Sequence, residues 1–133
     1  MTSRSHPSSV DVITEYFAAI RAGDVERWVA TFAPQAVCID PSGPPILGHD
    51  ALRQFFLGVT AAFDQLTIQA DQVFPVGRAV AVKWSAQGIG KNRREIAFDG
   101  IDVFELDRED RIERLQAYWD PARVMAQLQA CAP

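Results

Sequence analysis

The chain of 133 residues carries 13 Lys plus Arg against 17 Asp plus Glu, a formal net charge of −4, and is 48% hydrophobic. A chain of this length buries roughly two thirds of its unfolded surface, enough for one core without disulfides or metal, which excludes collagen-like, disordered and disulfide-scaffold classes. The cations are mostly Arg and scattered, with no basic stripe to neutralise phosphates, so the composition argues against a nucleic-acid or membrane-surface partner.

The two cysteines, Cys38 and Cys131, are too few and too isolated for a disulfide framework or a zinc site. They fit a reduced, cytoplasmic setting. The first residues, MTSRSHPSS, lack the apolar run of a secretory signal, and no stretch reaches the length of a membrane span. Residues 1–8 read as a disordered lead and residues 9–130 as a single domain.

Ser8 or Ser9 caps a first helix with Ile13, Tyr16, Phe17 and Ile20 at helical spacing, ended by Ala22-Gly23. Asp24 caps a second, short helix with Val25, Trp28, Val29 and Phe32 on one side, stopped near Pro34. Ala36 to Asp40 reads as a short strand halted by Pro41 and a turn-rich Pro-Ser-Gly-Pro-Pro run. A third helix follows from about Asp50 to Phe63, with Leu52, Phe55, Phe56 and Val59 on its inner side. From Leu66 the period changes to that of strands, centred on 66–73, 78–86, 95–106 and 111–119, with turns at Val76-Gly77 and Arg108-Glu109-Asp110. Asp120-Pro121 starts a last helix. The order predicts an α+β domain in which helices pack on one face of a curved antiparallel sheet.

Three residues resist a purely structural account. In the 95–106 strand, Ile96, Phe98, Gly100, Asp102, Phe104 and Leu106 share a face. That face is otherwise apolar, so it points Asp102 into the core, where an ionised carboxylate needs a cation or a proton. The opposite face is half apolar too, and a bulge would turn Asp102 outward. Asp40 ends a strand directly before Pro41, which favours extended backbone and a side chain projecting from the strand end. As an isolated Asp-Pro it is a turn starter. Tyr16 lies on the apolar side of the first helix, where a core aromatic with a satisfied hydroxyl is the plain alternative.

Other candidate chemistry is weaker. His6 and His49 have no partners at metal-ligand spacing, so no metal site is expected. Gly88-Ile89-Gly90 lacks the strand-turn-helix setting of a dinucleotide fingerprint and reads as a loop, and no Gly-x-Ser-x-Gly nucleophile signature is present. Arg93-Arg94 reads as a solvated loop, and Trp84 and Trp119 as strand residues belonging to the core or to an aromatic cavity.

Together these positions resemble the bacterial ketosteroid isomerases, within the nuclear transport factor 2-like superfamily. The resemblance runs from about Val10 to Val124. The Ala22-Gly23-Asp24 break, the Phe32-Ala33 to Ala36-Val37 stretch and the closing Ala117-Tyr118-Trp119 carry the fold. The specific part is a tyrosine on the first helix (Glu15-Tyr16-Phe17), a strand-end Asp-Pro (Ile39-Asp40-Pro41-Ser42-Gly43) and an aspartic acid in Ile101-Asp102-Val103-Phe104.

The resemblance implies a cone-shaped curved antiparallel sheet, three N-terminal helices on its concave face and a short C-terminal helix. It implies a homodimer, a small apolar ketosteroid as substrate, and no metal or organic cofactor. Asp40 is then the general base, Tyr16 and a protonated Asp102 hold the dienolate oxygen, and Trp119, Phe56 and Phe104 belong to the substrate pocket. Phe32 and Phe56 stand where some members carry further tyrosines, so an extended hydroxyl network is not expected.

Two other readings stay open. One is a polyketide cyclase-like or epoxide hydrolase-like enzyme of the same fold, the latter weakened because no inward Arg can be placed between the acids of the third strand. The other is a non-catalytic lipid-binding module, which leaves Asp102 without a reason to be inside.

Overall fold

The computed structural model describes residues 9–133, so the predicted lead over residues 1–8 and His6 lie outside the described residues. The first helix, α1 (Ser9–Ala22), buries Val12, Ile13, Tyr16, Phe17 and Ala19, an apolar stripe at helical spacing. Gly23 ends it at φ +66, with Gly23 N–H donating to Ile20 and Asp24 N–H to Ala19, the paired bonds that close a helix through a left-handed residue. Asp24 then caps α2 (Val25–Ala30), its carboxylate accepting from Arg27 N–H at 3.2 Å.

Helix α2 stops before Phe32, which was expected on it. Phe32 instead begins β1 (Phe32–Ile39), where it pairs with Ile112. Pro34 therefore lies inside a strand, in an irregular stretch between Phe32 and Val37 where the missing N–H interrupts no regular ladder. A two-residue strand absent from the prediction, β2 (Ile46–Leu47), pairs with β1 and leads into α3 (Gly48–Ala61). Leu52 and Phe56 are the buried residues of α3, and Val59, expected on the same inner side, is 37% exposed where it faces a cavity.

Four long strands follow: β3 (Phe63–Val76), β4 (Ala79–Gly90), β5 (Glu95–Leu106) and β6 (Ile112–Tyr118). Gly88-Ile89-Gly90, expected as a loop, completes β4, held on both sides by pairs with β3 and β5. Asp120 caps and Pro121 opens α4 (Pro121–Gln129), leaving Trp119 between β6 and that helix rather than in a strand.

The six strands form one curved sheet in the order β2-β1-β6-β5-β4-β3. Neighbours are antiparallel except β1 and β6, which run parallel with Ile39 opposite Gln116. One core joins α1, α2 and α3 to the inward face of the sheet through Phe17, Trp28, Leu52, Val80, Val82 and Phe104. A smaller cluster, Phe63, Ile96 and Val124, docks α4 on the end of β5. Among the described residues no helix is long and apolar enough to cross a membrane.

Candidate active site

A cavity of about 430 Å³ opens between α1, α3, α4 and the sheet. That volume lies within the roughly 300–1,000 Å³ of small-molecule sites. Its wall is mainly apolar, with Phe55, Phe63, Ile68, Trp84, Phe98 and Trp119 among the lining side chains. Asp40 is the one acid in that wall, with Ser42 and Gln54 as further polar groups. Larger hollows of about 560 and 600 Å³ lie elsewhere on the surface, and Tyr16, Asp40 and Asp102 line neither.

Asp40 is buried at the position just past β1, and three donors fix its carboxylate. Trp119 Nε1–H donates to Oδ2 at 3.0 Å. Oδ1 accepts from Ser42 N–H at 2.9 Å and from the Ser42 hydroxyl at 2.5 Å. The loop thus folds back on the acid as an Asx turn.

Asp102 points inward, as the alternation of β5 requires. It is 4% exposed and shares its face with buried Ile96, Phe104 and Leu106, while Glu95, Ala97, Asp99 and Glu105 of the other face are exposed. Val82 and Ala117 sit opposite it in the ladder, and among the described residues no hydrogen bond or ion pair holds its carboxyl. Burial pushes its pKa up to about 7, the indole of Trp84 pulls the other way, and the negative charge of Asp40 adds to the rise. Trp84 nonetheless completes no hydrogen bond of normal geometry, and its Nε1–H is buried without a partner.

Tyr16 is buried edge-on against Phe17 and Phe104, with ring centroids 4.9 and 5.0 Å away. Burial, then the charges of Asp102, Cys38 and Asp40, raise its pKa well above that of free tyrosine. It is therefore a hydrogen-bond donor at any physiological pH. The Trp28 indole lies beside it at 5.7 Å and also keeps a buried N–H without a partner. Cys38, on the inward side of β1, belongs to the same electrostatic neighbourhood: burial, Asp40 and Asp102 push its thiol up to about 12.

The structure therefore gathers Tyr16, Asp40 and Asp102 from α1, the end of β1 and the middle of β5 into one neighbourhood. Of the three, Asp40 lines the cavity, whereas Tyr16 and Asp102 are buried and do not. Of the expected pocket residues, Trp119 lines the cavity and bonds the acid. Phe56 and Phe104 do not line it. Phe56 packs on Trp28 at 5.2 Å and Phe104 on Tyr16, so both belong to the core that supports the site.

Ser42 and Cys38 are not site residues in the sequence reading, whereas Trp84, read there as a core or cavity aromatic, lines the cavity. For Ser42 the signal was available, because a serine two residues after Asp completes a turn on its carboxylate. Among the described residues no group of three or more His, Cys, Asp or Glu is placed to hold a metal ion. His49 Nε2 lies 2.9 Å from the Phe32 carbonyl, a structural tie between α3 and β1.

Comparison with known proteins extends this picture. The SnoaL-like domain model matches residues 13–115. An epoxide hydrolase/cyclase-like enzyme, SalBIII, with a role in pyran ring formation in the polyether salinomycin, is 27% identical, with a TM-score of 0.77 over 86% of this chain and 92% of that one. An NTF2-like protein of unknown function from Burkholderia pseudomallei superimposes with a TM-score of 0.84 at 18% identity, covering 92% and 98% of the two chains. A protein from Jannaschia sp., proposed to be a SnoaL-like polyketide cyclase, gives 0.82 at 17% identity over 98% and 99%. The last two likenesses concern the fold alone, and these neighbours do not single out the ketosteroid isomerases. With its family model spanning most of the sequence and its curved sheet matching these structures, the chain belongs to the SnoaL-like domain family of NTF2-like fold.

Proposed function

We propose that the protein is a steroid delta-isomerase, converting a β,γ-unsaturated 3-ketosteroid to the conjugated ketone by intramolecular proton transfer. The observation that carries this reading is the division of labour between two acids. Asp40 lines an apolar cavity with three donors on its side-chain oxygens, while Asp102, near Tyr16, stands buried with no cation beside it among the described residues.

Asp40 takes a proton from the carbon between the carbonyl and the double bond. The electron pair moves into a dienolate, whose oxygen is met by the O–H groups of Tyr16 and protonated Asp102. Asp40, now carrying the proton, returns it to the far carbon of the old double bond, so no atom is gained or lost. The ketone end of the substrate must reach beyond the cavity lining to meet these two buried donors. The apolar lining suits a hydrocarbon skeleton and keeps water from competing for the dienolate.

A second reading, a polyketide cyclase-like enzyme, is favoured by the family match and by the likeness to the epoxide hydrolase/cyclase-like enzyme. An Asp-Arg-Asp epoxide hydrolase mechanism is disfavoured because, among the described residues, no arginine lines this cavity. Ultraviolet absorbance on adding a β,γ-unsaturated ketosteroid separates the readings, since conjugation creates a strong new band. Growth of that band, slowed by roughly 10²–10⁴ in Asp40→Asn, is expected. A flat trace with folded protein would eliminate the isomerase and leave the cyclase reading.

A further inference from the structure

We propose that Trp84 is a positioning residue for Asp102: its indole N–H is reserved for one carboxyl oxygen, leaving the other oxygen to carry the proton toward the cavity. This rests on the reading of Asp102 as a protonated donor, and it adds a residue and a direction to that reading.

Buried polar groups in folded proteins nearly always have partners. Trp84 is 4% exposed and lines the cavity, yet its Nε1–H has no hydrogen-bond partner among the described residues. The orientation of the ring follows from its neighbour across the ladder. Trp84 pairs with Gly100, where an added Cβ would come within 2.5 Å of Trp84 Cζ2. Cζ2 is bonded to the ring carbon that carries Nε1, so the N–H edge of the indole lies over the inward face of β5. Asp102 is the next residue on that face, two positions along the strand.

The groups facing Asp102 leave it no better partner. The ladder presents Val82 from β4 and Ala117 from β6. The titratable groups among the described residues that interact with it, Tyr16 from α1, Cys38 from β1 and Asp40 just past it, bring no positive charge. The indole is the group that favours the ionised carboxyl there, opposing burial and the charge of Asp40. A neutral carboxylic acid has one oxygen that accepts and one that donates. An N–H committed to the accepting oxygen fixes which one holds the proton, as a second hydrogen bond fixes the tautomer of a histidine ligand.

The test is a titration of the Asp102 carboxyl carbon by ¹³C NMR in the full chain and in Trp84→Phe, which keeps an aromatic ring and removes the N–H. The wild-type midpoint is expected near 7. In the variant it should rise by about one to two pH units, the worth of a hydrogen bond to a charged group. An unchanged or lowered midpoint overturns the proposal. Should the variant not fold, the wild-type Trp84 indole N–H resonance decides. It must shift with the midpoint of Asp102 and lose that dependence in Asp102→Asn, and a resonance blind to that midpoint overturns the proposal. Neither measurement contains a steroid, so an absent isomerase activity and a failed Trp84 proposal are separate results. If the isomerase is confirmed, the upper pH limit of turnover should move up in Trp84→Phe by the same interval.

Discussion

Replacing Asp102 by Asn isolates the cost of holding a carboxyl group in this core. In the folded chain burial pushes Asp102 up to about 7, whereas an unfolded chain titrates it near its ordinary value of about 3.9. Below pH ~4 both states hold the proton, and the group contributes no pH dependence. Between ~4 and ~7 the folded state keeps a proton that the unfolded state has released, so stability falls as pH rises. Above pH ~7 both states are ionised and the loss is complete. Three pH units at about 1.4 kcal/mol each give a loss of about 4 kcal/mol. Other groups titrate over the same interval, so the informative quantity is the difference between wild type and Asp102→Asn in urea unfolding at a series of pH values. The amide has nearly the shape of the acid and never ionises. The variant should gain about 4 kcal/mol on the wild type between pH 4 and pH 8, nearly all of it below pH ~7. A difference constant to within about 1 kcal/mol over that range would refute the claim that burial holds Asp102 protonated.

Three further substitutions probe the site. Tyr16→Phe removes one oxygen while keeping the ring packed on Phe17 and Phe104, so isomerase turnover should fall by about 10²–10³ with unfolding free energy changed by about 1 kcal/mol or less. Full activity in that variant would remove Tyr16 from the proposed reaction. Asp40→Asn should lower turnover by roughly 10²–10⁴, with steroid affinity, followed by tryptophan fluorescence, nearly unchanged. Gly100→Ala places a methyl group 2.5 Å from both Trp84 Cζ2 and the Tyr118 carbonyl and 3.0 Å from Trp119 Cβ. Relief of that overlap should cost about 1–3 kcal/mol in thermal or urea unfolding, and undiminished stability would mean that the two indoles are not pinned there.

The helices were legible because their boundaries are local chemistry. Ala22-Gly23-Asp24 writes a helix stop and a helix start in three residues, and Asp120-Pro121 writes another start. The errors came where partners distant in sequence decide the conformation. Phe32 has helical spacing from Val29 and Val25, yet its pairing with Ile112 makes it a strand residue. Gly88-Ile89-Gly90 has the composition of a loop but is flanked on both sides by longer strands than local propensity could reveal. The inward turn of Asp102 was readable from alternation alone, because a period of two leaves each side chain only two choices. The cavity lining was not readable, since Phe56 and Phe104 have the same aromatic character as Phe98 and Trp119. Only the packing of the helices decides which rings line space and which fill it.

The contrast between the two acids follows from strand topology. Because β1 and β6 run parallel, with Ile39 opposite Gln116, their C-terminal ends emerge at the same edge of the sheet. Asp40 and Trp119, each just past its strand, therefore meet although they lie 79 residues apart in sequence, and the turn at Ser42 adds two more donors. Backbone and side-chain donors that are not committed to a ladder occur where strands end, so an acid placed there finds partners for its oxygens. Asp102 occupies the middle of β5, paired on both sides, where the neighbouring backbone is engaged in the ladder and the facing side chains are apolar. An acid in that place meets the full effect of burial. One sheet thus sets one acid among donors at a strand end and another among apolar side chains in its interior, and exchanging the two environments, not merely the two residues, would be needed to reverse the roles proposed for them.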